Sequence, residues 1–336
     1  MAQFASCAAR RFTDFGRRRF ATTCTGVGAA MALGATGFLN GTQAAAEDQH
    51  SSIGQRGKWG LHRPARHHPR TDEAMLLISD LDGTLVGDAD ALRRFNTSWV
   101  SNQLPRGSVL VYNTARDLTL FSGLLHKESW GRPELLRPDA FIVAEGTEIW
   151  RFDSGSPEPR LDETWRSKLL STWDTKLVTS QCAKLNQPEL VKEHFQDTDL
   201  RVTVFIKGTA RESGEAAAKL RQVLGPAYSL VDAECWIEGV RMISVLPAAA
   251  GKGAAAEYLR QSFGFAPERS VWAGDTRGDS SMLQTPMRGV LVGNATPELR
   301  ADAAIAILQG AMGRIWTATG KHADGVLQGL RHHGFE

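Results

Sequence analysis

The chain has 336 residues, 42% apolar and 23% charged. That balance supports a packed core and excludes a wholly disordered or collagen-like chain. The net charge of +2 is unevenly spread: residues 1–72 hold ten basic and four acidic side chains, and the rest hold 29 and 33. A basic nucleic-acid surface is therefore not expected.

Residues 1–46 contain one acidic residue, Asp14, against Arg10, Arg11, Arg17, Arg18 and Arg19. A mild apolar run from Val27 to Leu39 follows, then Ala44-Ala45-Ala46. Basic start, short apolar run and small-residue exit predict a cleavable targeting leader. Import into an organelle, first a chloroplast and otherwise a mitochondrion, is expected. The alternative is export, because Arg17-Arg18-Arg19-Phe20 resembles a twin-arginine signal. Residues 47–72 read as a linker, His67-His68 included. Beyond residue 72 no apolar run is long enough to span a membrane. Cys7, Cys24, Cys182 and Cys235 have no metal-ligand spacing.

From Met75 the pattern changes. Met75-Leu76-Leu77-Ile78 is a continuous apolar run ending at Asp80, which predicts a strand buried on both faces. Leu92, Phe95 and Trp99 recur at helical spacing. Val109–Tyr112 and Phe141–Ala144 predict two more buried strands. Trp165, Leu169 and Trp173 mark a helix face, Arg201–Ile206 a half-exposed strand, Ala216–Leu224 a helix and Arg241–Leu246 another strand. Val271–Ala273 and Val290–Val292 return to the buried-strand type. The expected fold is α/β: a Rossmann-like parallel sheet core over 73–150 and 244–336, with a smaller α/β cap inserted at 151–243.

Acidic residues follow two of those strands. Asp80 and Asp82 lie in Ser79-Asp80-Leu81-Asp82-Gly83-Thr84, and Asp275 and Asp279 in Gly274-Asp275-Thr276-Arg277-Gly278-Asp279. Open parallel sheets bind ligands at the carboxyl ends of their strands. Carboxylates at the end of an apolar strand are costly unless paired or metal-bound. Oxygen-only ligation points to a hard cation, Mg2+. Trp150, Trp165, Trp173 and Trp236 are read as core rather than as sugar-stacking side chains, and Glu234 and Glu238 as solvated.

These residues carry a resemblance. Asp80-Leu81-Asp82-Gly83-Thr84, Asn113-Thr114-Ala115-Arg116, Lys252 in Gly251-Lys252-Gly253, and Asp275 with Asp279 resemble, in order, the four motifs of the haloacid dehalogenase-like hydrolases. Leu92–Asn96, Gly146–Ile149, Val245-Leu246-Pro247 and Val292–Leu299 narrow it: from about 75 to 334 the chain is similar to sucrose-phosphate phosphatases. The resemblance implies an Asp80 nucleophile that forms an aspartyl-phosphate. Asp82 would act as acid and base and would lend its backbone carbonyl to the metal. Asp80, Asp275 and Asp279 would complete the Mg2+ site. Thr114, Ala115 and Lys252 would hold phosphate. Arg116, Arg201 and Thr203 would meet substrate.

The chain departs from the family at Gly278, where Asn is usual, and at Ala115, where Gly is usual. Arg201, Thr203 and Ser244 stand where the family reads its sugar with a Lys-x-Ser strand and an acidic residue. The expectation is a monomeric, Mg2+-dependent phosphatase acting on a small-molecule sugar phosphate, sucrose 6-phosphate or a related glucosyl phosphate. The alternatives are a phosphosugar mutase and a catalytically impaired sugar-phosphate-binding protein.

Overall fold

A computed structural model describes residues 70–126, 135–153, 156–185, 198–234 and 238–336, with the backbone of a short ladder between Arg56–Gly57 and Gly60–Leu61. The expected leader at 1–46, most of the linker, His67-His68 and Trp236 lie outside the described residues.

Eight strands form the larger sheet. In chain order they are β1 (Leu76–Ser79), β2 (Val109–Asn113), β3 (Ala140–Val143), β4 (Glu148–Phe152) and β5 (Pro159–Leu161). After β6 (Val202–Lys207), β7 (Tyr228–Glu234) and β8 (Val240–Pro247), which build a second sheet, come β9 (Ser270–Gly274), β10 (Arg288–Leu291) and β11 (Ile315–Thr317). The larger sheet has the order β11-β10-β9-β1-β2-β3-β4-β5. From β11 to β3 every neighbour is parallel; β4 and β5 are added antiparallel. The sheet is thus mostly rather than wholly parallel. It continues through Pro159–Leu161, past residue 150 where the insertion was expected to begin.

The apolar runs explain this architecture. Leu76 and Ile78 point into one core, with Ala255, Ala256 and Leu259. Met75 and Leu77 point into the other, with Leu92, Phe95, Val326 and Leu330. Each core is roofed by helices: α1 (Ala89–Ser98) and, last in the chain, His322–His332 on one face; Lys252–Phe263 and Pro297–Ala306 on the other. Burying one such Leu or Ile side chain contributes roughly 1.5–3 kcal/mol. The Asp88 side chain caps α1, accepting from the N–H groups of Asp90 and Ala91.

The smaller sheet is antiparallel, in the order β6-β8-β7. Helices Thr175–Cys182 and Ala210–Leu224 cover it through Val178, Cys182, Ala217 and Leu220. A capping box between Thr209 and Glu212 starts the longer helix. Strand β6 was expected to be half exposed; it is buried at every position except Lys207. Among the described residues no helix is long and apolar enough to cross a membrane.

The chain builds outward from β1 in one direction through β5, then returns to build in the other from β9. The connections therefore reverse beside β1. Ligand crevices open at the carboxyl ends of strands at such a reversal.

Candidate active site

Four neighbouring parallel strands each end on a residue of interest. Asp275 follows β9, Asp80 follows β1, Thr114 follows β2 and Ala144 follows β3. The backbone alone sets this row, because strands in one sheet lie about 4.8 Å apart.

Asp80, Asp275 and Asp279 converge. Each offers a carboxylate oxygen within 4.8 Å of the others, and they are only 6%, 6% and 2% exposed. Lys252 stands between them. Its Nζ donates to Asp80 Oδ1 and to Asp279 Oδ1, both at 2.8 Å. Lysine is disfavoured at the first position of a helix, where the dipole is positive; the two carboxylates reverse that preference. Asn113 Nδ2 donates to the Lys252 carbonyl at 3.2 Å and fixes this helix start against β2.

Asp279 Oδ2 accepts from the N–H groups of Asp275 and Thr276, at 3.1 and 3.3 Å. Asp275 Oδ1 accepts from Thr84 Oγ1 at 3.1 Å. Gly83 lies under Asp275 at φ +83°, and a Cβ there would sit 2.0 Å from Asp275 Oδ2. Only glycine admits that approach. The Gly83 carbonyl is held from outside by Asn294 Nδ2 at 2.8 Å and His322 Nδ1 at 2.9 Å. That contact requires the proton on Nδ1.

Charge in this pocket is unbalanced: one ammonium faces three carboxylates. Burial pushes Asp80 well above the ordinary carboxylate range, Lys252 opposing and Asp279 and Asp275 adding to the rise. Burial, then Asp279, raises Asp275 to about 6. Burial pulls the Lys252 ammonium down, but Asp279, Asp80 and Glu145 outweigh it and hold it well above the usual lysine value. A hard divalent cation fits this excess negative charge and the all-oxygen donor set.

Asp82 does not join the cluster. Its side chain is half exposed, and Arg116 clasps it through Nε and Nη2, both at 2.7 Å. The carboxylates that converge are therefore three, Asp80, Asp275 and Asp279. Asp82 instead faces outward, where the fork geometry of the Arg116 guanidinium matches its carboxylate. Its backbone carbonyl remains the part expected of it as a ligand.

Thr114 is buried, and its Oγ1 accepts from the Arg116 N–H at 3.2 Å. Arg201, expected to read the sugar, is fully buried and donates from Nη1 to the Ala115 carbonyl at 2.7 Å. The smaller sheet is thereby tied to the Thr114–Arg116 loop. Thr203 lies opposite Ser244 in the register of β6 and β8. Trp165 is core, its Nε1 donating to the Gly146 carbonyl at 3.1 Å. Glu234 and Glu238 are exposed.

Two features went unread in the sequence. The Asn294–His322 brace was visible only as part of the Val292–Leu299 segment. Glu145, 3% exposed beside Lys252, carried no signal at all.

Residues 73–334 match the sucrose-6F-phosphate phosphohydrolase family. The chain belongs to that family. It is 32% identical over 261 residues to mannosylfructose-phosphate phosphatase of Agrobacterium fabrum, covering 77% of this chain and 96% of that one. It is 31% identical over 268 residues to sucrose-phosphatase 2 of Nicotiana tabacum, covering 77% of this chain and only 59% of the relative's length. The sucrose-phosphatase of Synechocystis, solved with sucrose and phosphate, superposes with a TM-score of 0.62 at 25% identity, covering 77% and 97%. A haloacid dehalogenase-like hydrolase of Bacillus subtilis shares the fold, with a TM-score of 0.54 at 14% identity over 84% and 96%. The chain is therefore a haloacid dehalogenase-like phosphatase of the sugar-phosphate branch.

Proposed function

We propose that this protein hydrolyses sucrose 6-phosphate or a related glucosyl phosphate through an aspartyl-phosphate, and that the smaller sheet with its helices acts as the cap over the substrate. The observation that carries the reading is the buried cluster of Asp80, Asp275 and Asp279 around Lys252, at the carboxyl ends of β1 and β9. The relatives named above are phosphatases of phosphorylated disaccharides, which supports the same substrate class here.

Asp80, Asp275 and Asp279, with the Asp82 carbonyl, would hold Mg2+, which when bound neutralises phosphoryl charge that otherwise repels an anionic nucleophile. An Asp80 carboxylate oxygen attacks phosphorus as the bond to the sugar oxygen breaks. Lys252 and the Thr114–Ala115 loop hold the phosphoryl oxygens. Asp82 gives its proton to the departing sugar oxygen, then takes one from the water that cleaves the acyl phosphate. Arg116 must yield Asp82 for that exchange. A substrate phosphate competes for the same guanidinium and offers a reason for it to move.

The test is release of inorganic phosphate from sucrose 6-phosphate, glucose 6-phosphate and fructose 6-phosphate, with Mg2+ and with chelator. Release from at least one, lost in chelator and in Asp80→Asn, is expected. Isomerised sugar phosphate without phosphate release would identify a mutase. Binding without turnover, unchanged in Asp80→Asn, would identify a sensor.

A further inference from the structure

Glu145 has no part in the chemistry above, yet its turn packs against the helix start that carries Lys252. It follows β3, the strand beside the one that ends on Thr114. Its turn is pinned on three sides. The Ala144 N–H donates to the Arg116 carbonyl at 2.7 Å. The Gly146 carbonyl accepts from Trp165. A Cβ at Gly146 would lie 2.4 Å from the Gly251 carbonyl oxygen, so the turn packs directly on the helix start that carries Lys252. Glu145 thus lies between the Thr114–Arg116 loop and Lys252, within electrostatic reach of Lys252 and of Arg201, the residue before β6.

Two costs meet at this residue. Ala144 and Glu145 both adopt left-handed backbone, φ 51° and 59°, which side chains other than Gly and Asn avoid. Glu145 is also only 3% exposed, and among the described residues no hydrogen bond or ion pair reaches its carboxylate, whose oxygens keep only that small contact with solvent. A buried carboxylate without donors is unfavourable. Backbone strain that presents a nearly buried carboxylate without protein donors beside a reactive site points to a built-in role. The nearby cations are already engaged: Lys252 with Asp80 and Asp279, Arg201 Nη1 with the Ala115 carbonyl. What the position lacks is a neutral donor, and the ligand that brings several is a polyol.

We infer that Glu145 determines specificity by accepting hydrogen bonds from hydroxyl groups of the sugar next to its phosphate ester, and that the strained 144–146 turn exists to present it. This rests on the sugar-phosphatase reading and adds a sugar-reading residue supplied by the larger sheet. Burial raises the Glu145 carboxyl above its ordinary value, with Lys252 and then Arg201 opposing. Either protonation state keeps an acceptor oxygen for a hydroxyl.

The test compares kcat/KM for the best of sucrose 6-, glucose 6- and fructose 6-phosphate with kcat/KM for p-nitrophenyl phosphate, which has no sugar hydroxyls, in the full chain with Mg2+. In Glu145→Gly the ratio of the two should fall about tenfold or more, the scale of a lost charge-assisted hydrogen bond. Glycine suits φ 59°, so the melting temperature should hold or rise. Glu145→Gln keeps an acceptor and should retain more of the ratio than Glu145→Gly. Equal losses on both substrates would mean that Glu145 acts only through Lys252 and would overturn the inference. So would a Gln variant no better than the Gly variant. A sugar preference that survives in both variants overturns the inference alone. Wild-type protein that hydrolyses p-nitrophenyl phosphate but no sugar phosphate overturns the functional reading and the inference with it.

Discussion

Replacing Lys252 by methionine removes the charge that bridges Asp80 and Asp279 while keeping the length of the side chain. The ammonium is 3% exposed and lies 2.8 Å from each carboxylate. Removing one partner of a buried ion pair costs about 3–5 kcal/mol, because the other partner keeps its desolvation penalty. Here two carboxylates lose their partner and Asp275 stands within 4.8 Å, so the upper end applies. For a domain of this size about 1 kcal/mol moves the melting temperature by roughly 2–4 °C. Lys252→Met in chelator at neutral pH should therefore melt about 10–20 °C below wild type. The Lys252 pKa is raised on folding, so its contribution is complete below the ordinary lysine value and fades only as pH climbs through the higher folded value. The loss is thus fully expressed at pH 7. On the proposed reading added Mg2+ would meet the same oxygens, and it should raise the variant's melting temperature more than the wild type's. Differential scanning fluorimetry with and without Mg2+ reads both effects. Turnover should drop at least about a hundredfold. A variant that melts within about 2 °C of wild type in chelator would refute the charge balance inferred for this pocket.

Other outcomes follow from the same geometry. Asp82→Asn should accumulate phospho-enzyme, visible by acid quench with labelled substrate; normal steady turnover would remove Asp82 from acid–base duty. The Asp82–Arg116 pair is 50% and 32% exposed, worth at most about 1 kcal/mol. Arg116→Ala should accordingly leave the melting temperature within a few degrees yet change the pH–rate profile. Gly83→Ala should weaken Mg2+ binding by calorimetry more than tenfold, since its Cβ would lie 2.0 Å from Asp275 Oδ2 and its φ is +83°; unaltered affinity would count against Asp275 as a ligand. Asp275, raised to about 6, binds a proton in the folded state that the unfolded chain has already released. Chelated protein should therefore gain stability as pH falls from 7 toward 5, whereas Mg2+ affinity should fall over the same interval. Parallel melting and binding titrations check the opposite signs.

What the sequence made legible was whatever the backbone decides. A strand buried on both faces must be a continuous apolar run, so β1, β2, β3 and β9 announced themselves, and the residue after each sits on the crevice by sheet geometry alone. Asp80 and Asp275 could be singled out on that ground, whereas Thr114 drew its expected role from the family resemblance. The β4–β5 pair escaped because Glu148-Ile149-Trp150-Arg151-Phe152 carries a charged residue on each face, Glu148 beside Trp150 and Phe152 and Arg151 beside Ile149, and Pro159–Leu161 is too short to show a period. Strand β6 alternates in sequence yet is buried on both faces, since what covers a sheet is decided by elements distant in the chain.

Side-chain direction is the harder layer. Asp80 and Asp82 are two residues apart and look equivalent as letters. One is buried on Lys252, 172 positions away; the other faces outward to Arg116, 34 positions away. Their different partners, set by elements far apart in the chain, separate their fates. Glu145 shows the same principle more sharply. Left-handed backbone at Glu has no local sequence cause, because every local term disfavours it. It persists because the turn is clamped between Arg116, Trp165 and Gly251. A residue held against its own propensity by three separate elements is where tertiary structure overrules the local code, and that is where a site-specific role is to be sought.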